Sequence, residues 1–170
     1  MWKFTGQQRP DFAETPGPGQ ESVWDYPRPP DLVASSERIE VRVGEIVLAS
    51  TNSSFRVRET ASPPTYYLRP SEVIWDQFTI VDHKSFCEWK GTAGYLALKQ
   101  APEKGVVGWY YDGPSERFAA IDGFVSFYPG KVACYVDGER VRPQPGEFYG
   151  GWVTDRICGP FKGEPGTGHW

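Results

Sequence analysis

The sequence predicts a mainly β protein built from short antiparallel strands. Apolar and polar residues alternate over segments of four to six residues, and each such segment ends at Gly, Pro or Asp-Gly. No segment sustains a helical period.

Taken in order, residues 1–36 hold six prolines and the peptide ESVWDYPRPPDL, which cannot propagate a helix and supplies few ladder donors. This stretch reads as an extended N-terminal arm. Trp24, Tyr26 and Leu32 are costly to leave in water, so part of the arm is expected to lie on the domain. From Arg38 the pattern alternates: Ile39, Val41 and Val43 share one face, and Gly44-Glu45 leads into IVLAS, which predicts a hairpin. Strands are expected from Phe55, Thr65, Gly94, Val106, Phe124 and Val132, the last turning at Asp137-Gly138 into Glu-Arg-Val. Short helical turns fit only Ser71–Trp75 and Ser115–Ile121. The β domain is therefore assigned to 37–142 and a Pro/Gly-rich extension to 143–170. That extension is expected to pack through its Trp and Tyr residues, with the final eight residues frayed.

A chain of 170 residues removes roughly 70% of its unfolded surface from water, enough for one core without disulfides or metal. With 18 basic against 22 acidic side chains and no long run of either sign, the attraction that nucleic acid or an anionic membrane requires is missing. The start MWKFTGQQRPDF lacks the apolar stretch of a secretory signal, so a cytoplasmic location is expected. Cys87, Cys134 and Cys158 are widely spaced and odd in number, which fits free thiols. Neither paired cysteines nor a histidine cluster is present beyond His83 and His169, so no metal and no cofactor is predicted. Phosphate-binding loops, dinucleotide fingerprints, nucleophile elbows and H-E-x-x-H are absent. The carboxylates Asp137 and Glu139 belong to the hairpin turn.

Chemistry concentrates in three places. In FCEWKGTAGY, residues 86–95, Cys87 has His83 four residues before it and Lys90 three after, either of which could assist a thiolate; a buried cysteine acting as a small hydrophobe is the alternative. Lys90-Gly91-Thr92 offers an ammonium and turn N–H groups to an anion, and the wording recurs as Phe161-Lys162-Gly163. In RVRETASPPTYYLRP, residues 56–70, Pro63-Pro64 enforces an extended path and admits a cis bond, and Tyr66 and Tyr67 must point to opposite faces. Glu59 lies just before that bend, where it can serve as acid, base or ligand anchor, or stand exposed. GWYYDG, residues 108–113, places Trp109 and Tyr111 on one face and Tyr110 on the other. Seven Trp, nine Tyr and ten Phe exceed what a core needs, which fits a concave aromatic site or a homodimer interface.

The motifs VRETASPPTYYLRP, CEWKG with Tyr95, GWYYD and FVSFYPGKVACYVDGERV, in that order, resemble the bacterial and fungal family called domain of unknown function 427. The resemblance spans roughly Arg38 to Val141 and implies a β-tent-like fold of two antiparallel sheets meeting at an angle. Many β-tent relatives carry zinc on paired cysteines, which this sequence lacks. The family is sometimes labelled nucleotidyltransferase-like, yet the glycine-serine and paired-aspartate pattern of that chemistry is missing. The resemblance carries over Glu59, Pro64, Tyr66, Tyr67, Cys87, Lys90, Gly91, Tyr95 and Trp109, while Ala61-Ser62 replaces the family's usual histidine or tyrosine before the prolines.

The resulting expectation is a pocket for a small polar or aromatic ligand. Glu59, Lys90 and Cys87 with Gly91 supply polar contacts, and Tyr66, Tyr67, Tyr95 and Trp109 supply walls. An enzyme working through Cys87 or Glu59, and a structural or oligomeric module, are the alternatives.

Overall fold

A computed structural model describes all 170 residues, Met1–Trp170. The proline-rich start contributes β1 (Glu21–Ser22) and β2 (Asp31–Ser35). The alternating stretch after it forms β3 (Ile39–Val43) and β4 (Ile46–Thr51), a hairpin turning at Gly44 with φ 57°, a conformation that favours glycine. Next come β5 (Ser54–Arg58), β6 (Thr65–Tyr67), β7 (Phe78–Cys87), β8 (Gly91–Leu98), β9 (Val106–Tyr111) and β10 (Val125–Phe127). The Asp137-Gly138 turn joins β11 (Ala133–Val136) to β12 (Glu139–Arg140). The C-terminal extension adds β13 (Arg142–Pro143), β14 (Trp152–Val153) and β15 (Ile157–Cys158). Helical structure is confined to short 3-10 turns, among them Pro70–Glu72, Trp75–Gln77 and Glu116–Ile121, and no helix is long and apolar enough to cross a membrane.

Three antiparallel sheets of three or four strands result, in the orders β2-β5-β6, β12-β11-β3-β4 and β10-β9-β8-β7, beside the two-stranded antiparallel pair β13-β14. A bridge between Leu68 and Val125 couples β6 to β10, so the first and third sheets run into one another. The β10-β9-β8-β7 sheet serves two cores. Leu96, Leu98 and Phe127 pack in a large apolar cluster with Ile39, Val41 and Leu48 of the β3-β4 hairpin. Ala93, Trp109 and Tyr111 pack in a second cluster with Val57 and Tyr67 of β5 and β6. Period-two alternation explains this division, because successive residues of a strand face opposite ways.

A third cluster joins the two ends of the chain. Trp24 is fully buried, its ring centroid 5.2 Å from those of Phe4, Phe12 and Trp170. Its indole N–H donates to the Pro160 carbonyl at 3.2 Å. β1 lies parallel to β15 in the same region.

The structure departs from the expectations at four points. The arm does not extend to residue 36, because β2 pairs with β5 along its whole length from Asp31 to Ser35. The last eight residues do not fray: Thr167 is buried, and Trp170 stacks on Phe12 with 20° between the rings. The ten-residue β7 was not anticipated, because it is an edge strand whose middle, Asp82–Phe86, is exposed and lacks a continuous apolar stripe. Its pairing with β8 shifts between Val81 and Lys84, leaving Asp82 and His83 as a bulge. The cis peptide bonds precede Pro29 and Pro160, not Pro64.

Trp24→Ala is expected to cost about 3–5 kcal/mol in denaturant unfolding, the range for truncating a large buried aromatic. Phe148→Ser, at a side chain 83% exposed, should stay within about 0.5 kcal/mol of the wild type. Equal effects for the two would show that the joined ends do not form a core.

Candidate functional site

The residues expected to line one pocket are separated first by strand geometry. Tyr66 and Tyr67 are adjacent in β6, so their side chains leave opposite faces. Tyr67 enters the second core, where its hydroxyl accepts a hydrogen bond from the Trp109 indole at 3.0 Å and its ring lies 6.3 Å from Tyr111. Tyr66 instead joins the first core: its hydroxyl donates to Glu37 at 3.1 Å and its ring lies 5.0 Å from Trp152. The structure therefore does not bring Tyr66 to the same place as Tyr67.

Around Tyr67, β8 and β9 present Ala93, Trp109 and Tyr111 to the second core, with Cys87, Tyr95 and Tyr128 packed at its margin. Tyr110 faces the other way, against the first core, where it covers Gly94 so closely that an added Cβ would lie 2.4 Å from the ring. His83 stacks on Tyr95 at 5.5 Å between ring centroids, and the Ser85 and Tyr95 hydroxyls share a short hydrogen bond.

Lys90 sits in the turn from β7 to β8, just before Gly91, whose φ of 107° suits glycine. Ser115 holds that turn: its N–H donates to the Lys90 carbonyl at 3.0 Å and its hydroxyl to the Trp89 carbonyl at 2.8 Å. The half-buried Lys90 ammonium lies 5.6 Å from the Tyr111 ring centroid and 5.8 Å from that of Phe118. It belongs to none of the ion pairs. Burial pulls its pKa down, but Tyr67, Cys87 and Glu59 more than offset this, so the net direction is upward and the amine stays charged at neutral pH. Burial pushes the Tyr67 and Tyr111 phenols up.

Glu59, directly after β5, is held from the other side. Arg28 donates through Nε to Glu59 at 3.2 Å, through one terminal nitrogen to the Phe4 carbonyl at 3.1 Å and through the other to the Thr60 carbonyl at 2.9 Å. The guanidinium carbon is 4.1 Å from the centroid of the Trp2 ring. Arg56 and Arg58, the cations nearest Glu59 in sequence, are engaged elsewhere, Arg56 with Glu21 at 2.7 Å and Arg58 with Asp31 at 2.6 Å. The Glu59 charge is felt by both Lys90 and Lys162.

Tyr67, Cys87, Lys90, Gly91, Tyr95 and Trp109 thus fall in one neighbourhood; Glu59, bound to Arg28, reaches it only through its charge on Lys90, and Tyr66 falls outside it. Two surface hollows lie apart from Lys90 and Cys87. One of about 550 Å³ is lined by Arg38, Glu40, Arg42 and Tyr135, and one of about 280 Å³ by Glu21, Glu37, Arg56 and Tyr66. No three His, Cys, Asp or Glu side chains converge as a metal site. Sequence reasoning missed Arg28, whose setting in YPRPP carries no signal of burial. Tyr111 was readable from its shared face with Trp109, and Lys162 from the repeated Lys-Gly.

Burial raises five of the nine tyrosines, Tyr26, Tyr66, Tyr67, Tyr111 and Tyr128, the last to about 12. An unfolded phenol releases its proton near pH ~10. Above that pH the unfolded chain therefore binds fewer protons than the folded one, and stability falls as pH rises. Absorbance titration should show these five ionising late and together with alkaline unfolding; five normal, independent ionisations in a folded protein would contradict their burial. No curated protein matches the sequence. The family described as a domain of unknown function, DUF427, matches residues 31–138, a span that takes in β2 through the Asp137-Gly138 turn and the whole neighbourhood around Lys90 but neither Arg28 nor Lys162, and the chain belongs to that family.

Proposed function

We propose that the chain is a binding module for a small polar or aromatic ligand, held at the neighbourhood of Lys90. The observation that carries this reading is the half-buried Lys90 ammonium, which has aromatic neighbours and no carboxylate partner. Three N–H donors in such a setting are costly unless something polar meets them. Tyr67, Tyr95 and Trp109 offer ring surface beside it, and Cys87 and Glu59 add polar contacts that would orient the ligand.

A second reading follows from the closeness of Lys90 to Cys87. An amine beside a thiol favours the thiolate, so Cys87 could act as a nucleophile. Glu59 as a general acid or base is the non-covalent version of this enzyme reading.

A metabolite-library thermal-shift screen should find a stabiliser. At about 100 times its dissociation constant such a ligand adds about 2.7 kcal/mol, or roughly 5–10 °C for a chain of this size. Lys90→Met and Glu59→Gln should each abolish the shift, and a shift that survives both would move the site elsewhere. For the covalent reading, a small alkylating agent should label Cys87 at least tenfold faster in the wild type than in Lys90→Met, and equal rates would remove the nucleophile.

A further inference from the structure

The hollow of about 550 Å³ lies on the outer face of the β12-β11-β3-β4 sheet, and its size is usual for a small-molecule site. Ile39 and Val41 turn inward to the first core, so Arg38, Glu40 and Arg42 turn outward together and line the hollow. Strand register completes the row: Tyr135 of β11 lies opposite Glu40, and Arg140 of β12 lies opposite Tyr135. The Arg140 guanidinium packs over the Tyr135 ring, 5.6 Å from its centroid. Three arginines thus meet around one phenol.

These arginines differ from the others in what they bind. Arg9, Arg28, Arg56, Arg58, Arg142 and Arg156 each hydrogen-bond to a carboxylate. Arg38 and Arg140 belong to none of the ion pairs. Arg42 Nε is buried yet has no hydrogen-bond partner, because the acid beside it, Glu40, stands 3.6 Å away, beyond bonding reach. Asp137 does not offset the surplus charge: its carboxylate accepts from the Arg38 backbone N–H and from the Arg156 side chain, each at 2.7 Å. A buried guanidinium N–H without an acceptor is costly, and an oxyanion relieves that cost with a charge-assisted hydrogen bond.

We propose that this hollow is a second binding site, separate from Lys90, for a small molecule whose two oxyanion groups, phosphate or carboxylate, flank a hydroxyl. Strand alternation sets that order. Arg38 and Arg42 stand four residues apart, about 13 Å along an extended strand, with Glu40 midway between them. Each guanidinium grips one oxyanion through paired N–H donors, and Glu40 accepts from the hydroxyl between. Arg140, steadied on Tyr135, adds positive charge at the edge of the hollow. A single anion engages only one arginine, and a ligand without the central hydroxyl leaves Glu40 facing negative charge. Both therefore bind less well. This site stands or falls independently of the ligand reading at Lys90.

Isothermal titration calorimetry on the full chain tests it with citrate and fructose 1,6-bisphosphate, which carry hydroxyls between carboxylates or between phosphates. Tricarballylate and hexane-1,6-diol bisphosphate are their counterparts without those hydroxyls, and inorganic phosphate is the single anion. At least one of the first two should bind, about tenfold more tightly than its hydroxyl-free counterpart and than inorganic phosphate. The tighter of the two identifies carboxylate or phosphate as the preferred group. Arg38→Gln and Arg42→Gln should each weaken binding about tenfold with Tm nearly unchanged, and Glu40→Ala should erase the preference for the hydroxyl-bearing probe. Binding of neither probe, affinity that survives both arginine substitutions, or equal affinity for inorganic phosphate overturns the site. Equal affinity for the hydroxyl-free counterpart in the wild type overturns the proposed ligand class. Binding lost in Lys90→Met but kept in Arg42→Gln also overturns the site and assigns the anion to the Lys90 neighbourhood.

Discussion

Arg28 carries a charge into the interior, and its needs there organise the surroundings of Glu59. Its guanidinium is nearly solvent-free and spends its donors on one carboxylate and two carbonyls drawn from two separate parts of the chain, Phe4 and the Glu59-Thr60 pair. Breaking such a buried pair costs more than the pair contributes, because the remaining partners stay unsatisfied. The contact therefore acts chiefly as a constraint on geometry: it fixes the N-terminal segment over the turn after β5.

That turn is itself unusual. Ala61 follows with φ 71°, a left-handed conformation that costs an alanine roughly 1–2 kcal/mol. The conformation is sustained from both ends of the protein. The Ala61 N–H donates to the Val23 carbonyl at 3.1 Å, and its carbonyl accepts from the Lys162 N–H at 2.8 Å. The terminal arms and the β domain thus meet at one residue, beside which Glu59, Arg28 and Lys162 gather. The Ala61 side chain is only a methyl group, so the position acts through its backbone.

Much of this was readable from local pattern. Period-two alternation located the β3-β4 hairpin, assigned Trp109 and Tyr111 to one face, and separated Tyr66 from Tyr67. The inclusion of Tyr66 in the pocket disregarded that same alternation, which is why it failed geometrically. What could not be read depends on contacts between distant segments. The burial of Arg28 needs Phe4 and Thr60, and the docking of Trp170 needs Phe12 and Trp24, none of which has a local signature. β7 escaped because an exposed edge strand has no buried face to impose a stripe.

The irregularity in β7 has a further outcome for the molecule in a crowded solution. A ten-residue outer strand with Ile80 and Phe86 standing in water would ordinarily invite another chain to add itself along the free backbone. The two unopposed residues, Asp82 and His83, break the row of outward amides and carbonyls near its midpoint, and Asp82 and Lys84 place charge there. Neither remaining half is long enough to template stable cross-strand growth, so the protein keeps an apolar rim without offering a seed for fibrils.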